Sequence, residues 1–178
     1  MKDHNEMADR STRPSTWCED DLVVRARGRF DFVDITDQVQ DRVEESGMVD
    51  GACLVFCSHT TCALVVNEWE DGAQEDFRRR LQNMASPDDY YLHDDMDLRT
   101  QNLVPGERKN GHAHVMQMLL GGTSIIFPVR GGSILLGRWQ RITLVELDHP
   151  KDRLVAVQML APSWPSTRPE GAERRKAS

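Results

Sequence analysis

Residues 57–76 read CSHTTCALVVNEWEDGAQED, and the pattern of this segment changes twice. An apolar run that is typical of a β-strand ends at His59, and a second apolar run begins at Cys62 and ends at Asn67-Glu68. In the next segment the apolar residues recur at intervals of three and four, which is the period of one helix face. The stretch therefore predicts two strands and a helix, with an imidazole and two hydroxyls between the strands.

The rest of the chain carries the same mixture of signals. The polar segment 86–111 predicts a long loop of the kind that often carries function. Strands with a few helices interspersed, followed by a run of strands, predict an α+β fold, a mixed β-sandwich with a few helices in a single compact domain. Strands are predicted at 22–27, 52–57, 62–66, 124–129, 133–136, 139–147 and 154–160, and helices at 36–46, 69–84 and 110–120.

Length and composition limit the classes of protein to which the chain can belong. A chain of 178 residues suits one domain, which we place at 20–160 between a flexible N-terminal tail at 1–19 and a flexible C-terminal tail at 161–178. The net charge of −7 argues against nonspecific nucleic-acid binding. No apolar run reaches bilayer length and the first residues lack the apolar core of a secretory signal, so we expect a cytoplasmic protein that binds neither nucleic acid nor membrane.

The four cysteines are Cys18, Cys53, Cys57 and Cys62. Three of them lie inside apolar, strand-like runs, and no two are spaced as a CxxC pair. This pattern predicts buried free thiols in a reducing compartment rather than a redox or zinc-thiolate site.

Three histidines are candidates for one site, namely His59 at a strand end or turn, His93 in the long loop and His114 near a helix start. His112 and His114 lie about 200° apart around a helix, and Met118 four residues after His114 favours His114 for the apolar side, with His112 as a surface residue. Three neutral imidazoles can bind zinc and leave one position open, although no HExxH spacing is present. The sequence leaves two interpretations open, namely a shared metal site and three unrelated histidines.

Two carboxylates form a second set of candidates. Glu68 follows Asn67 at the start of the predicted helix, where both could simply cap it. Asp76 lies eight residues after Glu68, about 80° away around the helix axis, so the two could share a cleft. Paired carboxylates can hold a divalent metal or carry out acid–base chemistry.

The segment LLGRWQRITLVELD at 135–148 places cations in a strand. Arg138 and Gln140 share one face of this strand, and Trp139 and Arg141 share the other. Guanidinium groups bind phosphate through two parallel N–H donors, so an anion site is one interpretation and a solvated strand face is the other. Further cations in or near this run are Arg130, Lys151 and Arg153.

The ordered set of motifs resembles the YjbQ family over about residues 20–160. No single motif is very specific, but their order is. The resemblance implies a compact α+β domain with a β-sandwich, assembled as a homotrimer with sites at or near subunit contacts. The motifs are HTT at 59–61, NE at 67–68, Asp76, YLH at 91–93, GHAH at 111–114, LLGG at 119–122, LLGRWQRITLVELD at 135–148 and PKDR at 150–153.

The resemblance implies a site that combines these candidates. The chain departs from its relatives at His149-Pro150-Lys151, where Gly-Pro-Arg is frequent, so the fork geometry of an arginine is lost there. The implied roles are metal ligand for His59, His93 and His114, catalytic for Glu68 and Asp76, and substrate-binding for Thr60, Thr61, Asn67, Arg138, Trp139, Gln140 and Arg153.

The label often given to this family implies a thiamine-phosphate synthase, which joins hydroxymethylpyrimidine diphosphate to a thiazole phosphate and releases pyrophosphate. A divalent metal, Zn²⁺ or Mg²⁺, would neutralise the leaving group. Arg138, Arg141 or Arg153 would hold its oxygens, and Trp139 could stack on the pyrimidine. The alternatives are a metal-dependent hydrolase that uses a three-histidine site with Glu68 as base, and a non-catalytic trimer that binds a small anionic or phosphorylated metabolite.

Overall fold

Two antiparallel β-sheets form the frame of the protein in a computed structural model that describes residues 21–160. In chain order the elements are β1 (Leu22–Ala26), β2 (Phe32–Asp34), α1 (Thr36–Glu45), β3 (Asp50–Cys57), β4 (Cys62–Glu68), α2 (Asp71–Met84), a short 3₁₀ helix (Leu92–Asp94), α3 (Gly111–Leu120), β5 (Ser124–Arg130), β6 (Ser133–Ile134), β7 (Gln140–Glu146) and β8 (Lys151–Leu160). The larger sheet has the order β1-β8-β3-β5-β6, and the smaller has the order β2-β7-β4. The predicted α+β class is confirmed.

The main core lies between the two sheets. Side chains alternate along each strand, so one face of β1 and β8 is buried while the other is exposed. Strand β7 is buried on both faces because Leu144 points into the main core and Val145 packs under helices α2 and α3 with Met116. A nearly continuous apolar run in the sequence of β7 is the signature of this double burial.

Helix α2 begins two residues later than the sequence indicated. The side chain of Glu70 accepts hydrogen bonds from the backbone N–H groups of Gly72 and Ala73, at 2.7 Å each, and so caps the helix. Strand β4 continues to Glu68, which pairs with Gln140 of β7. The predicted placement of Glu68 at a helix start is therefore wrong, and the helical angle drawn between it and Asp76 does not apply.

Helix α3 turns a different face inward from the one predicted. His112 is only 2% exposed, whereas Met118 is 70% exposed. The buried methionine of this helix is Met116, which lies one turn after His112. The prediction of His112 as a surface residue is wrong, because the spacing was counted from a methionine that does not reach the core.

The two predicted tails, 1–19 and 161–178, lie outside the described residues. Within residues 21–160, no helix is long and apolar enough to cross a bilayer. The buried free thiols are confirmed for Cys53, Cys57 and Cys62, and Cys18 lies outside the described part of the chain.

Candidate functional site

An open cleft of about 720 Å³ lies at one end of the sandwich, a volume suited to one small metabolite. Four segments converge there, namely the turn between β3 and β4, the long loop after α2, the start of α3 and the turn between β7 and β8. The side chains and backbone that line it belong to Ser58, His59, Thr60, Thr61, His93, Arg99, Asn102, Val104, Gly106, Glu107, Arg108, Asn110, His114, Asp148, His149, Lys151 and Arg153. All three histidines predicted for one site are among them.

The lining of the cleft is locally basic in a chain whose net charge is −7. Its cations are Arg99, Arg108, Lys151 and Arg153, whereas its carboxylates are Glu107 and Asp148. The net charge of the lining stays positive even when Glu146, which pairs with Arg153, is counted as a third carboxylate. Local charge of this sign attracts anions to a cleft whatever the total charge of the protein.

His93 has a defined tautomer because of Asn110. The amide nitrogen of Asn110 donates to Asp148 Oδ2 at 3.2 Å, so its oxygen Oδ1 faces His93 Nε2 at 3.1 Å. This arrangement requires a proton on Nε2 and leaves the lone pair on Nδ1. Arg99 Nη1 also lies 3.4 Å from Nε2, but it donates to Glu107 Oε1 at 2.9 Å and to the His93 carbonyl at 3.2 Å.

His114 lies against His93, with the ring centroids 4.4 Å apart and the planes tilted by 56°. Burial lowers the pKa of His114, and the positive charge that His93 can carry lowers it further. His114 is consequently neutral at neutral pH. A neutral imidazole at this place can donate or accept a hydrogen bond without adding charge to the cleft.

His59 has the opposite tautomer to His93. Its Nε2 accepts the backbone N–H of Leu154 at 3.0 Å, so Nδ1 carries the proton. Burial lowers the pKa of His59, and the neighbouring charges of Arg153 and Lys151 lower it further. His59 therefore offers a neutral N–H donor in the cleft.

Arg153 is a buried charge whose Nε and Nη2 groups are bound within the fold. It is 1% exposed, and its guanidinium donates to both carboxylate oxygens of Glu146, at 2.7 and 2.6 Å. It also donates to Thr61 Oγ1 at 2.9 Å. This bidentate pair fixes the turn that carries Thr61, so the geometry of the guanidinium is already committed before any ligand arrives.

The start of helix α3 is held by the long loop. Asp94 Oδ1 accepts the backbone N–H groups of Asn110 and Gly111, at 2.9 Å each, and so caps the helix, whereas the side chain of Asn110 at the N-cap position makes no capping hydrogen bond. A Cβ atom at Gly111 would overlap the Tyr91 side chain, so only glycine permits this approach. The contact sets the distance between His93 and the helix.

The cleft residues that sequence reasoning missed include Arg99, Glu107, Arg108, Asn110, Asp148 and His149. His149 Nδ1 lies 2.8 Å from Asp148 Oδ2 without the geometry of a hydrogen bond, so a fourth histidine lies against the carboxylate that accepts from the Asn110 amide. A usable signal was present, because polar residues that directly follow a doubly buried strand mark the edge of a sheet. Arg99 and Glu107 lie in the long loop, where no periodicity distinguishes them.

The other predicted site residues form a second group. Strand β4 rises about 3.3 Å per residue, so its end at Glu68 lies about 20 Å from its start beside the cleft. Asn67 and Glu68 line a smaller pocket of about 210 Å³ under α2, and Arg138 lies over the Trp139 ring at 4.5 Å. All members of the group are exposed: Asn67, Glu68, Asp76, Arg138, Trp139 and Gln140.

Metal binding by the three histidines stays a prediction. Residues 21–160 contain no group of three or more His, Cys, Asp or Glu side chains placed to hold a metal ion. His59 Nε2 already accepts the Leu154 N–H, and His93 Nε2 faces an amide oxygen and a guanidinium. As they stand within one chain, these imidazoles do not fit a three-histidine metal centre.

Comparison with known proteins gives a consistent assignment. Residues 20–162 match the family described as "UPF0047 protein YjbQ-like". A UPF0047 protein of Archaeoglobus fulgidus is 38% identical over 140 residues, which cover 79% of this chain and 99% of that protein. The UPF0047 protein YugU of Bacillus subtilis is 28% identical and covers 78% of this chain and 96% of its own length.

Solved structures agree with this assignment. A crystal structure from Sulfolobus solfataricus, described as a YbjQ-like protein of unknown function, superimposes with a TM-score of 0.71 at 39% identity, covering 81% of this chain and 96% of that one. A crystal structure of a hypothetical protein of Aeropyrum pernix has a TM-score of 0.70 at 32% identity, and the match covers 80% of this chain and 97% of that one. The chain therefore belongs to the YjbQ (UPF0047) family.

Proposed function

We propose that the cleft binds a small phosphorylated metabolite and that the protein acts on it as a thiamine-phosphate synthase. The observation that carries the proposal is the surplus of positive charge in the cleft of an otherwise acidic chain. Arg108 and Lys151 are exposed at the cleft, where their charges can reach phosphate oxygens. His59 adds a neutral N–H donor beside them.

The reaction needs charge stabilisation more than it needs a base. The bond between the pyrimidine methylene carbon and the diphosphate oxygen breaks, and the thiazole nitrogen forms a new bond to that carbon. Pyrophosphate leaves with the electron pair of the broken bond, and no proton has to be removed from the attacking nitrogen. Cations that contact the leaving oxygens stabilise the charge that develops on them, and we assign this role to Arg108 and Lys151.

A divalent ion, Zn²⁺ or Mg²⁺, is a separate proposal. Because the histidines of one chain do not fit a metal centre as they stand, we assign no step of the reaction to an ion. Elemental analysis of the purified protein beside the His114→Ala variant tests the zinc proposal. Near-stoichiometric zinc that is lost in the variant would support it, and an equal metal content in both would contradict the role of His114.

Assembly as a homotrimer is proposed because the two groups of predicted site residues lie too far apart to meet within one chain. Glu68 and Trp139 are exposed at the end of the small sheet opposite to the start of β4, so a neighbouring subunit could present them to the cleft. Mixing the Glu68→Gln and His114→Ala variants under exchange conditions tests this idea. Activity that returns only in the mixture supports a shared site, whereas two inactive variants that stay inactive when mixed contradict it.

The enzyme assay follows pyrophosphate release from hydroxymethylpyrimidine diphosphate and thiazole phosphate in the presence of Mg²⁺. Lys151→Ala should reduce kcat/KM by about 10–100-fold, because a hydrogen bond to a charged group is worth about 1.5–3 kcal/mol. Arg79→Ala is the matched control, since this exposed arginine pairs with Glu75 on α2. Absence of pyrophosphate release from the unmodified protein would overturn the synthase assignment.

A metal-dependent hydrolase is the second candidate, because His59, His93 and His114 line one cleft. It predicts zinc-dependent turnover of an ester, amide or phosphate. Binding of a phosphorylated ligand without turnover in either assay would instead favour a metabolite-binding protein.

A further inference from the structure

Two cysteine side chains touch across the junction between the sheets. Cys57 ends β3 in the larger sheet and Cys62 begins β4 in the smaller sheet, and their sulfur atoms are 3.2 Å apart. The residues are 1% and 0% exposed. The turn that they enclose carries Ser58, His59, Thr60 and Thr61, all of which line the cleft.

The third described cysteine provides an internal comparison. Cys53 lies in the same core cluster, and burial raises its pKa to about 11, so its thiol is inert. Cys57 and Cys62 differ from Cys53 in their geometry, because each of their sulfur atoms has the other only 3.2 Å away.

We propose that Cys57 and Cys62 form a reversible disulfide, with hydrogen peroxide as the oxidant, that closes the turn beneath the cleft. A disulfide requires a sulfur–sulfur distance of about 2.05 Å, so the two atoms have to approach by about 1.1 Å. The chain is already folded back on itself at this turn, so no strand has to leave its sheet. Cys57 attacks first, and Cys62 resolves the product.

Hydrogen peroxide oxidises the pair of thiols in two steps. The Cys57 thiolate attacks one peroxide oxygen, the O–O bond breaks, and Cys57 becomes a sulfenic acid while hydroxide leaves and takes up the thiol proton as water. The sulfur of Cys62 then attacks the Cys57 sulfur, the S–O bond breaks, and a second water leaves with the Cys62 proton. Two thiols and one peroxide give one disulfide and two waters.

The turn is coupled to strand β8, so a change in it reaches the cleft. His59 Nε2 accepts the Leu154 N–H at 3.0 Å, and Thr61 Oγ1 accepts from Arg153 at 2.9 Å. A disulfide shortens the chain path between these two anchors and restricts the turn in the unfolded chain as well. We expect a higher thermal midpoint in the oxidised protein, which returns to its original value after reduction with dithiothreitol.

The test treats the full chain with hydrogen peroxide, blocks the remaining thiols with iodoacetamide in denaturant and digests with trypsin. Residues 43–78 form one tryptic peptide that contains Cys53, Cys57 and Cys62, so the variants assign the bond. In the Cys53→Ser variant, this peptide should still be lighter by two hydrogens after peroxide treatment, and neither Cys57 nor Cys62 should carry the label. Cys57→Ser and Cys62→Ser should each show two labelled cysteines after the same treatment.

Two results would overturn the proposal. In one, the peptide from the treated native protein carries three labels, which means that the pair does not react. In the other, Cys57 is recovered as a sulfinic acid while Cys62 carries the iodoacetamide label, which means that Cys62 does not resolve the intermediate. Cys18→Ser in the same series excludes a bond to Cys18, because the native product should be unchanged.

Discussion

The two ends of the small sheet differ in how their polar side chains are held. At the cleft end, His93, Asn110 and Asp148 are joined by hydrogen bonds and are at least partly buried. At the opposite end, Glu68 and Trp139 are exposed, and Trp139 has a ring contact only with Arg138 among the described contacts. One end holds its polar side chains in a hydrogen-bonded network, and the other leaves its polar side chains exposed.

This difference separates stability from function. Changes at the cleft end break a network and should therefore affect folding as well as binding. Changes at the exposed end should leave folding intact, so any loss of activity there reports directly on function. The following variants test the comparison in order of decreasing expected effect on the free energy of unfolding.

The largest effect is expected from Arg153→Met. It leaves the Glu146 carboxylate, which is 0% exposed, without its partner, at a cost of about 3–5 kcal/mol in the free energy of unfolding. Arg141→Met is the control, because its pair with Asp34 is partly exposed and worth about 1 kcal/mol or less. Urea denaturation followed by circular dichroism measures the free energy of unfolding of both variants. Equal losses would mean that the buried pair of Arg153 and Glu146 contributes no more than the partly exposed pair of Arg141 and Asp34.

Asn110→Ala should cost about 1–3 kcal/mol, because it leaves His93 Nε2 and Asp148 without a shared partner while Asp94 still caps α3. Nitrogen-15 NMR of the imidazole should show that His93 carries its proton on Nε2 in the native protein. The variant should show a mixture of tautomers. An unchanged spectrum would mean that Asn110 does not set the tautomer.

The lowered pKa values of His59 and His114 predict a pH dependence of stability. The unfolded chain binds protons on these residues near pH 6.5, whereas the folded protein binds them only at lower pH, so stability is full above that value and falls as the pH decreases. His114→Asn should flatten the curve between about pH 6.5 and pH 5. A steeper fall in the variant would contradict the assignment.

Glu68→Gln should have the smallest effect on folding, within about 0.5 kcal/mol, because the side chain is exposed. Pyrophosphate release should nevertheless fall if a neighbouring subunit uses Glu68. Thermal denaturation and the enzyme assay on the same sample separate the two effects. Loss of stability larger than that of Asn110→Ala would reverse the comparison between the two ends.

The strand pattern was readable because burial in a sheet imposes a period of two or a continuous apolar run. The apolar run of β7 and the helical face of α2 were identified on this basis. Strand β2 was missed because its three residues, Phe32–Asp34, are too short to show a period. Glu68 was assigned to a helix because local sequence does not reveal the pairing with β7 that extends β4.

The cleft was only partly predictable for a different reason. His59, His93 and His114 attracted attention by residue type, and all three line the cleft. Asn110 and Asp148 are ordinary turn and cap residues in the sequence, and their role depends on three-dimensional contacts between segments far apart in the chain. Spacing alone likewise could not show that Glu68 lies at the end of β4 opposite to the turn that carries His59.

The most direct test of the central claim is calorimetric titration of the purified protein with inorganic pyrophosphate. Native protein and Arg79→Ala should bind with the same affinity. Lys151→Ala and Arg108→Ala should each bind about 10–100-fold more weakly, and added salt should weaken binding to the native protein. Equal affinity in all four proteins, or no binding to the native protein, would contradict a phosphate-binding cleft.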